Sequence, residues 1–278
     1  MKNVFVTGAS TGIGNATVRR LANNARVFAG VRSEADYRAL GEVGPNVVPV
    51  YLDVVDENSI ARAEAEVAAA TGGSLDGLVN NAGIVVAAPL EIVPPAEFRK
   101  QLDVNVTGPL LVTQAFMPLL RAARGRIVMI GSISGKFSSP FMGAYSASKF
   151  ALEAMSDALR LELAPFGIKV VLVEPGPVKT PLWQRTQDAS DKSIGALDPA
   201  AVAPYAASID KMRAMARKLE AGGSSPERVA EVVERALAVK SPRARYLVGR
   251  EARVQLIVGR LPEGIRDKLI LSAFAGAK

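Results

Sequence analysis

Short apolar runs alternate along the chain with longer stretches in which apolar residues recur every three or four positions. The runs are NVFVT from Asn3, RVFAGV from Arg26, NVVPVYL from Asn46, DGLVN from Asp76, RIVMIGS from Arg126 and KVVLVEP from Lys169, with a seventh, ARYLVG, from Ala244. Near-continuous Val, Ile and Leu content is what a strand needs when both of its faces are covered, as in a parallel sheet between helix layers. Residues 12–23, 57–70 and 146–163, which lie between such runs, have helical spacing and length. The alternation predicts an α/β fold: a doubly wound, mostly parallel seven-stranded sheet of Rossmann type, flanked by helices, in a single domain.

Two regions break the rhythm. Residues 181–225 open with PLWQRTQDASDKSIGALDP and turn helical around 202–219. A connection of about 45 residues is long for a compact domain, where long connections serve as lids or binding loops, so this insertion is expected to face the substrate. Residues 250–278 alternate apolar and basic positions at helical spacing, which predicts a helical tail packed on its own domain or on another subunit rather than on a membrane. No window offers about 18 continuous apolar residues. The start MKNVFVTGAS has no charged region followed by an apolar run and cleavage site. A soluble, cytoplasmic protein is expected.

Composition narrows the chemistry. With no cysteine and no histidine in 278 residues, disulfides, thiolate nucleophiles, zinc sites built on the usual ligands and Ser-His-Asp triads are excluded. No metal site is expected. The net charge of +7 is spread along the chain, denser only over 121–126 and 240–268. Without aromatic-basic interleaving or a helix-turn-helix pattern it reads as a solvated basic surface, and no nucleic-acid partner is expected. It also suits a phosphate-bearing cofactor.

The first run leads into TGASTGIG, with Gly8, Gly12 and Gly14 around Ser10, Thr11 and Ile13. Between a strand and a helix, such glycines permit a tight turn and bring backbone N–H groups to a pyrophosphate at the helix N-terminus. The spacing is G-x-x-x-G-x-G rather than G-x-G-x-x-G, so the general dinucleotide fingerprint is not matched. The second run ends on Arg32, with no carboxylate before Glu34. A basic residue there can pair with a ribose 2′-phosphate, so NADP(H) is favoured and NAD(H) is possible; an arginine ending a strand in solvent is the alternative. At the ends of the third and fourth runs, Asp53 and Val54 in LDV are placed to meet an adenine, and NNAG, with Asn80, Ala82 and Gly83, to line the crevice floor.

In AYSASKFALEAM, Tyr145 and Lys149 stand four residues apart, on one helix face. A phenol is a competent acid at neutral pH, and a neighbouring ammonium favours its ionised form and eases proton exchange. Ser132, thirteen residues earlier at a strand end, can donate a hydrogen bond to a reacting carbonyl oxygen. Ser134 can share or replace that role. The hydrolase elbow G-x-S-x-G fails in GSISG, whose centre is Ile133.

TGASTGIG, LDV, NNAG, NVTG, the Ser132–Tyr145–Lys149 set and PGPVKT from Pro175, in this order, resemble the short-chain dehydrogenase/reductase family. The resemblance covers about residues 3–180. It implies a catalytic tetrad of Asn105, Ser132, Tyr145 and Lys149, in which Asn105 holds a proton-relay water through its helix. Ser132 would polarise the carbonyl, Tyr145 act as general acid and base, and Lys149 bind the nicotinamide ribose and lower the tyrosine pKa. From PGPVKT, Pro175, Gly176, Val178 and Thr180 are implied as cofactor contacts, Val178 and Thr180 at the carboxamide. The later sequence is similar to the 17β-hydroxysteroid and retinol dehydrogenase branch, which implies a hydrophobic alcohol or carbonyl substrate, with Met142, Leu182 and Trp183 as apolar wall candidates. A homodimer or homotetramer through residues 104–121 and 146–163 is implied as well. A non-catalytic NADP(H) sensor and a dehydratase or epimerase on the same scaffold are the alternatives. One departure stands out: family members commonly end the first helix on glycine, but RLANNARVF has none, so a left-handed Asn23 or Asn24 is expected there.

Overall fold

The computed structural model describes residues 1–275, with side chains described as far as Ser272. Strand β1 (Lys2–Val6) passes through the glycine turn into helix α1 (Gly12–Leu21), and the step repeats with β2 (Ala25–Val31), α2 (Glu34–Gly41), β3 (Val47–Tyr51), α3 (Glu57–Thr71) and β4 (Gly77–Asn80). Helices α4 (Pro95–Leu102), α5 (Gly108–Ala115) and α6 (Met117–Ala123) lead to β5 (Arg126–Ile130), α7 (Gly143–Leu163) and β6 (Lys169–Pro175). The insertion folds into α8 (Leu182–Gly195), α9 (Pro199–Val202) and α10 (Ala206–Gly222), and α11 (Pro226–Ala238) precedes β7 (Arg245–Val248). Two helices close the described chain, α12 (Arg250–Gly259) and α13 (Glu263–Ala275).

All seven strands pair in parallel, in the order β3-β2-β1-β4-β5-β6-β7. The order reverses between β1 and β4, and in open α/β sheets ligands bind outside the carboxyl ends of the strands at that reversal. Topology alone therefore places the crevice above Val6 and Asn80.

Both sheet faces are dry, which is why the strands read as apolar runs. Val4, Val6, Val128, Ile130, Val171 and Val173 belong to the cluster on the face covered by α1 and α11. Their neighbours Phe5, Ile127, Met129, Val170 and Leu172 belong to the opposite cluster, under α3, α5 and α7. Phe5 is wholly buried and its ring lies 4.7 Å from that of Phe116.

Three local expectations are revised. Helix α1 ends without a left-handed residue: Ala22 stays right-handed, and neither Asn23 nor Asn24 has positive φ. The terminal carbonyl of Ala22 accepts instead from Asn46 Nδ2 at 2.9 Å, a side chain from the loop before β3. The insertion is helical from Leu182, not only around 202–219: Ser190 Oγ donating to the Ala87 carbonyl (2.8 Å) ties α8 to the body, and the Arg213–Asp191 ion pair ties α10 to α8. The tail is two helices broken at Pro262, and residues 276–278 of the expected tail lie outside the described residues. No helix among the described residues is long and apolar enough to cross a membrane.

Phe5→Ala is expected to cost about 3–5 kcal/mol of stability, measured by urea unfolding, because the cavity would open between two faces that cannot collapse.

Candidate active site

The crevice at the strand-order reversal is a cleft of about 1410 Å³, against about 300–1,000 Å³ for common small-molecule sites, so it has room for a dinucleotide and a second molecule together. Its floor is the glycine turn. Gly8 and Gly12 adopt φ of +63° and +55°, the left-handed region that favours glycine. A Cβ on Gly14 would come within 2.2 Å of the Gly8 carbonyl oxygen. Gly14 does not line the cleft: its part is to let α1 start directly beneath the turn. Thr11, the N-cap residue, makes no side-chain cap, and the first turn of α1 holds no acidic residue. Its N–H groups and positive dipole end are thus left to an anion.

Of the two asparagines in NNAG, the expected Asn80 is turned away. It is buried, donating to Thr113 Oγ1 at 3.0 Å behind β4. Asn81 lines the cleft in its place, its Nδ2 donating to the carbonyls of Thr7 (2.9 Å) and Gly8 (3.0 Å). Adjacent residues at a strand end face opposite ways, and this alternation was the signal that would have separated them. Thr7 Oγ1 accepts from the N–H groups of Asn81 and Ala82, both at 2.9 Å, closing the joint between the two turns.

Ser10, Thr11, Ile13, Asp53, Val54, Ala82, Gly83, Pro175, Gly176, Val178 and Thr180 all line the same cleft. The Thr180 methyl lies 3.0 Å from where a Gly12 Cβ would be, so the loop after β6 closes over the glycine turn. Arg32 lines the adenosine end and has no ion-pair partner among the described residues. Glu34 is occupied elsewhere, accepting from Arg38 Nε at 2.7 Å and from the Tyr51 hydroxyl.

At the other end stand Ser132, Tyr145 and Lys149. Tyr145 and Lys149 lie on the first two turns of α7, with the ammonium 5.6 Å from the centre of the phenol ring. Lys149 is 7% exposed, and Nζ donates to the Ile130 carbonyl at 2.8 Å, its one hydrogen-bond partner among the described residues. Burial holds its pKa down at about 8. Two of its three N–H donors remain for hydroxyl groups in the cleft. The phenol of Tyr145 is raised above its usual range by burial, with the Ser132 hydroxyl pulling the other way. This revises the expectation of a phenol made more acidic by Lys149, because loss of water is the largest influence on it. Ser132 Oγ accepts from the Ser134 N–H at 3.1 Å, which turns its hydroxyl hydrogen toward the phenol side of the cleft; both serines line the cleft.

Asn105 is not a helix cap. It sits in a π-helical turn, Asp103–Thr107, between α4 and α5. Such turns are rare and often occur at functional sites. Its side chain is fully used, accepting from the Ile84 N–H (2.9 Å) and donating to the Ile84 carbonyl (3.0 Å) and Ser148 Oγ (3.1 Å). It thereby ties the loop after β4 to α7. Gln101, absent from the sequence reading, does the same work one turn earlier, on Ile84 and Val86.

The profile of the short chain dehydrogenase family matches residues 2–191. The chain belongs to the short-chain dehydrogenase family. It is 43% identical over 186 residues to 3-amino-tetrahydro-pyrrolizinone reductase of Xenorhabdus hominickii, which covers 66% of this chain and 64% of that one. It is 33% identical to NADPH-dependent 3-dehydrocapnine reductase of Ornithobacterium rhinotracheale, over 97% of this chain and 96% of the relative. Retinol dehydrogenase 16 of Homo sapiens is 35% identical over 91% and 82%. Among solved structures, a short chain dehydrogenase from Burkholderia cenocepacia in complex with NADP superposes with a TM-score of 0.74 at 26% identity, over 97% and 99% of the two chains. The chain is therefore an NAD(P)-dependent short-chain dehydrogenase/reductase acting on CH–OH donors, with retinol dehydrogenase-like relatives. The residues present fit a nicotinamide dinucleotide: an uncapped helix end for the pyrophosphate, an unpaired Arg32, and a buried ammonium with free donors.

Two outcomes follow for a short-chain dehydrogenase built this way. Asn81→Ala removes two hydrogen bonds from the glycine turn, worth about 1 kcal/mol each, and is expected to weaken NADPH binding about tenfold in a fluorescence titration while the fold persists. In the wild type, NADPH affinity is expected to fall as pH rises through about 8, where Lys149 loses its charge. Lys149→Met should bind weakly and without that step.

Proposed function

We propose that the protein is an NADP(H)-dependent oxidoreductase interconverting a hydrophobic secondary alcohol and its ketone, or an alcohol and its aldehyde, with Tyr145 as general acid and base. The observation carrying this reading is the shared cleft: Ser132, Tyr145 and the buried Lys149 face the same space as the glycine turn and Arg32. When bound, the nicotinamide supplies or accepts a hydride at the substrate carbon. Ser132 donates its hydroxyl hydrogen to the carbonyl oxygen when substrate is bound. Tyr145, protonated at neutral pH as a phenol with an ordinary pKa of about 10 already is, delivers the proton that completes the alcohol; in the reverse direction it takes that proton back. Lys149 binds the nicotinamide ribose with its two remaining donors. Asn105 supports the relay by which Tyr145 is reprotonated, and Val178 and Thr180 contact the carboxamide.

Arg32 pairs with the 2′-phosphate, while Glu34, engaged by Arg38 and Tyr51, is kept from repelling it. The NADPH-dependent relative and the NADP-bound neighbour support this choice over NAD(H). The hydrophobic substrate is read from the apolar lining that shares the cleft with Tyr145, to which Met142, Leu182, Trp183, Met212, Met215 and Leu219 contribute. Five of the six come from the insertion at 181–225, three of them from its last helix, and the insertion is read as the substrate lid. Trp183 Nε1 ties it to the Val178 carbonyl at 2.8 Å. Exposed Phe150 and Leu161 on α7 suit assembly of a cytoplasmic homodimer or homotetramer.

A panel of ketones, aldehydes and alcohols with NADPH and NADH, followed by nicotinamide absorbance, tests the reading. Tyr145→Phe is expected to lose about 10²–10⁴ in kcat with NADPH binding retained. Unchanged turnover would remove Tyr145 from the chemistry. Arg32→Ala is expected to lower the NADPH preference by about tenfold or more, as loss of a charged hydrogen bond does.

A further inference from the structure

Behind the catalytic helix lies a cluster of charged side chains that none of the chemistry above uses. Glu153 and Glu174 are 8% and 4% exposed, and neither lines the cleft. Lys136 Nζ lies 2.6 Å from Glu153 Oε2 and 3.0 Å from Glu174 Oε1. Arg245 Nε reaches the same Glu153 oxygen at 3.1 Å and its terminal nitrogen reaches Asp157 at 2.6 Å. Replacing such groups by apolar ones is often neutral or stabilising, so buried ion clusters need a reason other than stability.

Their places in the chain supply one. Lys136 directly follows the short 3-10 turn Ile133–Gly135 that Ser132 caps. Glu153 is one helical turn beyond Lys149. Glu174 is the last residue but one of β6, immediately before Pro175 and Gly176 at the start of the cofactor loop. Gly135 lies against α7 so closely that a Cβ there would be 3.0 Å from the Lys149 carbonyl oxygen and 3.0 Å from Glu153 Cγ. The Gly131 N–H donates to the Val173 carbonyl at 2.8 Å, and Lys149 Nζ to Ile130. Covalent, hydrogen-bonded and ionic links therefore close a ring through Ser132, Lys136, Glu174, Val173, Gly131, Ile130, Lys149 and Glu153. Cutting it at Lys136 removes the ionic links from the serine's turn to both the helix and the strand.

We propose that Lys136, Glu153 and Glu174 form a positioning clamp that holds Ser132 in register with Tyr145 and Lys149 for proton transfer. The proposal rests on the oxidoreductase reading above. The groups facing Glu174 are Glu153 and, through it, Asp157 from α7, Lys136 from the turn, and Arg245 from β7 by way of Glu153. Burial, then Glu153, push the Glu174 carboxyl up to about 7, against Lys136. Below that pH Glu174 is neutral and Lys136 holds α7 alone; above it Lys136 bridges α7 and β6, and the clamp is complete.

The test compares Glu174→Gln, nearly isosteric and fixed in the neutral form, with Lys136→Met and Lys136→Arg. In the wild type, kcat for carbonyl reduction is expected to rise severalfold as pH increases through about 7. In Glu174→Gln that step is expected to vanish, leaving kcat severalfold lower at pH of about 8 with the KM for NADPH within about twofold. Lys136→Met is expected to lower kcat about tenfold or more, and Lys136→Arg to restore most of it. Tyrosinate absorbance, taken as the difference from a Tyr145→Phe background, reads the site without turnover. In Lys136→Met or Glu174→Gln the Tyr145 pKa is expected to rise further, because the displaced Ser132 hydroxyl no longer favours the phenolate. A pH step that persists in Glu174→Gln, or a Tyr145 titration unmoved in both variants, overturns the clamp. A wild type that turns over no carbonyl overturns the functional reading instead, and the tyrosinate titration still decides the clamp. If Lys136→Met does not fold, Glu174→Gln carries both readouts.

Discussion

The site depends on one costly arrangement, an ammonium taken almost wholly out of water and set against a single backbone carbonyl. Removing a charge from water costs several kcal/mol, and the one bond from Lys149 to Ile130 offsets only part of it. The residual cost shows as a pKa near 8. What the protein gains is a cation whose position is fixed by the sheet, since Ile130 ends β5 and the strand sets the height of its carbonyl. Tyr145, one turn earlier on the same helix, inherits that fix. The remaining donors of Lys149 give the cleft a demand for hydroxyl groups that a ribose satisfies.

The other end of the cleft is organised by backbone rather than charge. β1 and β4 are neighbours at the strand-order reversal, and the turns that follow them are joined by Thr7 and Asn81. That joint shapes the glycine turn before any ligand arrives and leaves the N-terminus of α1 pointing into the cleft. The cleft is therefore polarised along its length, with the helix dipole and Arg32 at the adenosine side and the buried ammonium and phenol at the reacting side. The apolar wall from the insertion completes the reacting side, where water would compete for the proton.

Most of this was legible in the sequence, for physical reasons. Strands buried on both faces must be apolar without interruption, so all seven were readable, and parallel order followed from the helices between them. Ser132, Tyr145 and Lys149 were readable because few side chains combine acidity, polarity and charge at one-turn spacing on a chain without histidine. Facing was harder to read. The reading assigned Asn80 to the crevice, yet it is Asn81 that lines it, a difference of one residue at a strand end. The end of α1 escaped because its cap, Asn46, comes from 24 residues downstream. Glu153, Glu174, Lys136 and Arg245 carry no local pattern either; four separate elements bring them together. The direction of the Tyr145 pKa was misjudged because helical spacing reports the nearness of Lys149 but not the loss of water around both.

The most direct measurement is a crystal structure of the protein with NADPH and an unreactive ketone analogue. The account predicts the ammonium of Lys149 shared between the Ile130 carbonyl and the nicotinamide ribose, and the analogue oxygen within about 3 Å of both Tyr145 and Ser132. An analogue oxygen held by other groups, or a Lys149 that makes no contact with the nucleotide, would contradict it.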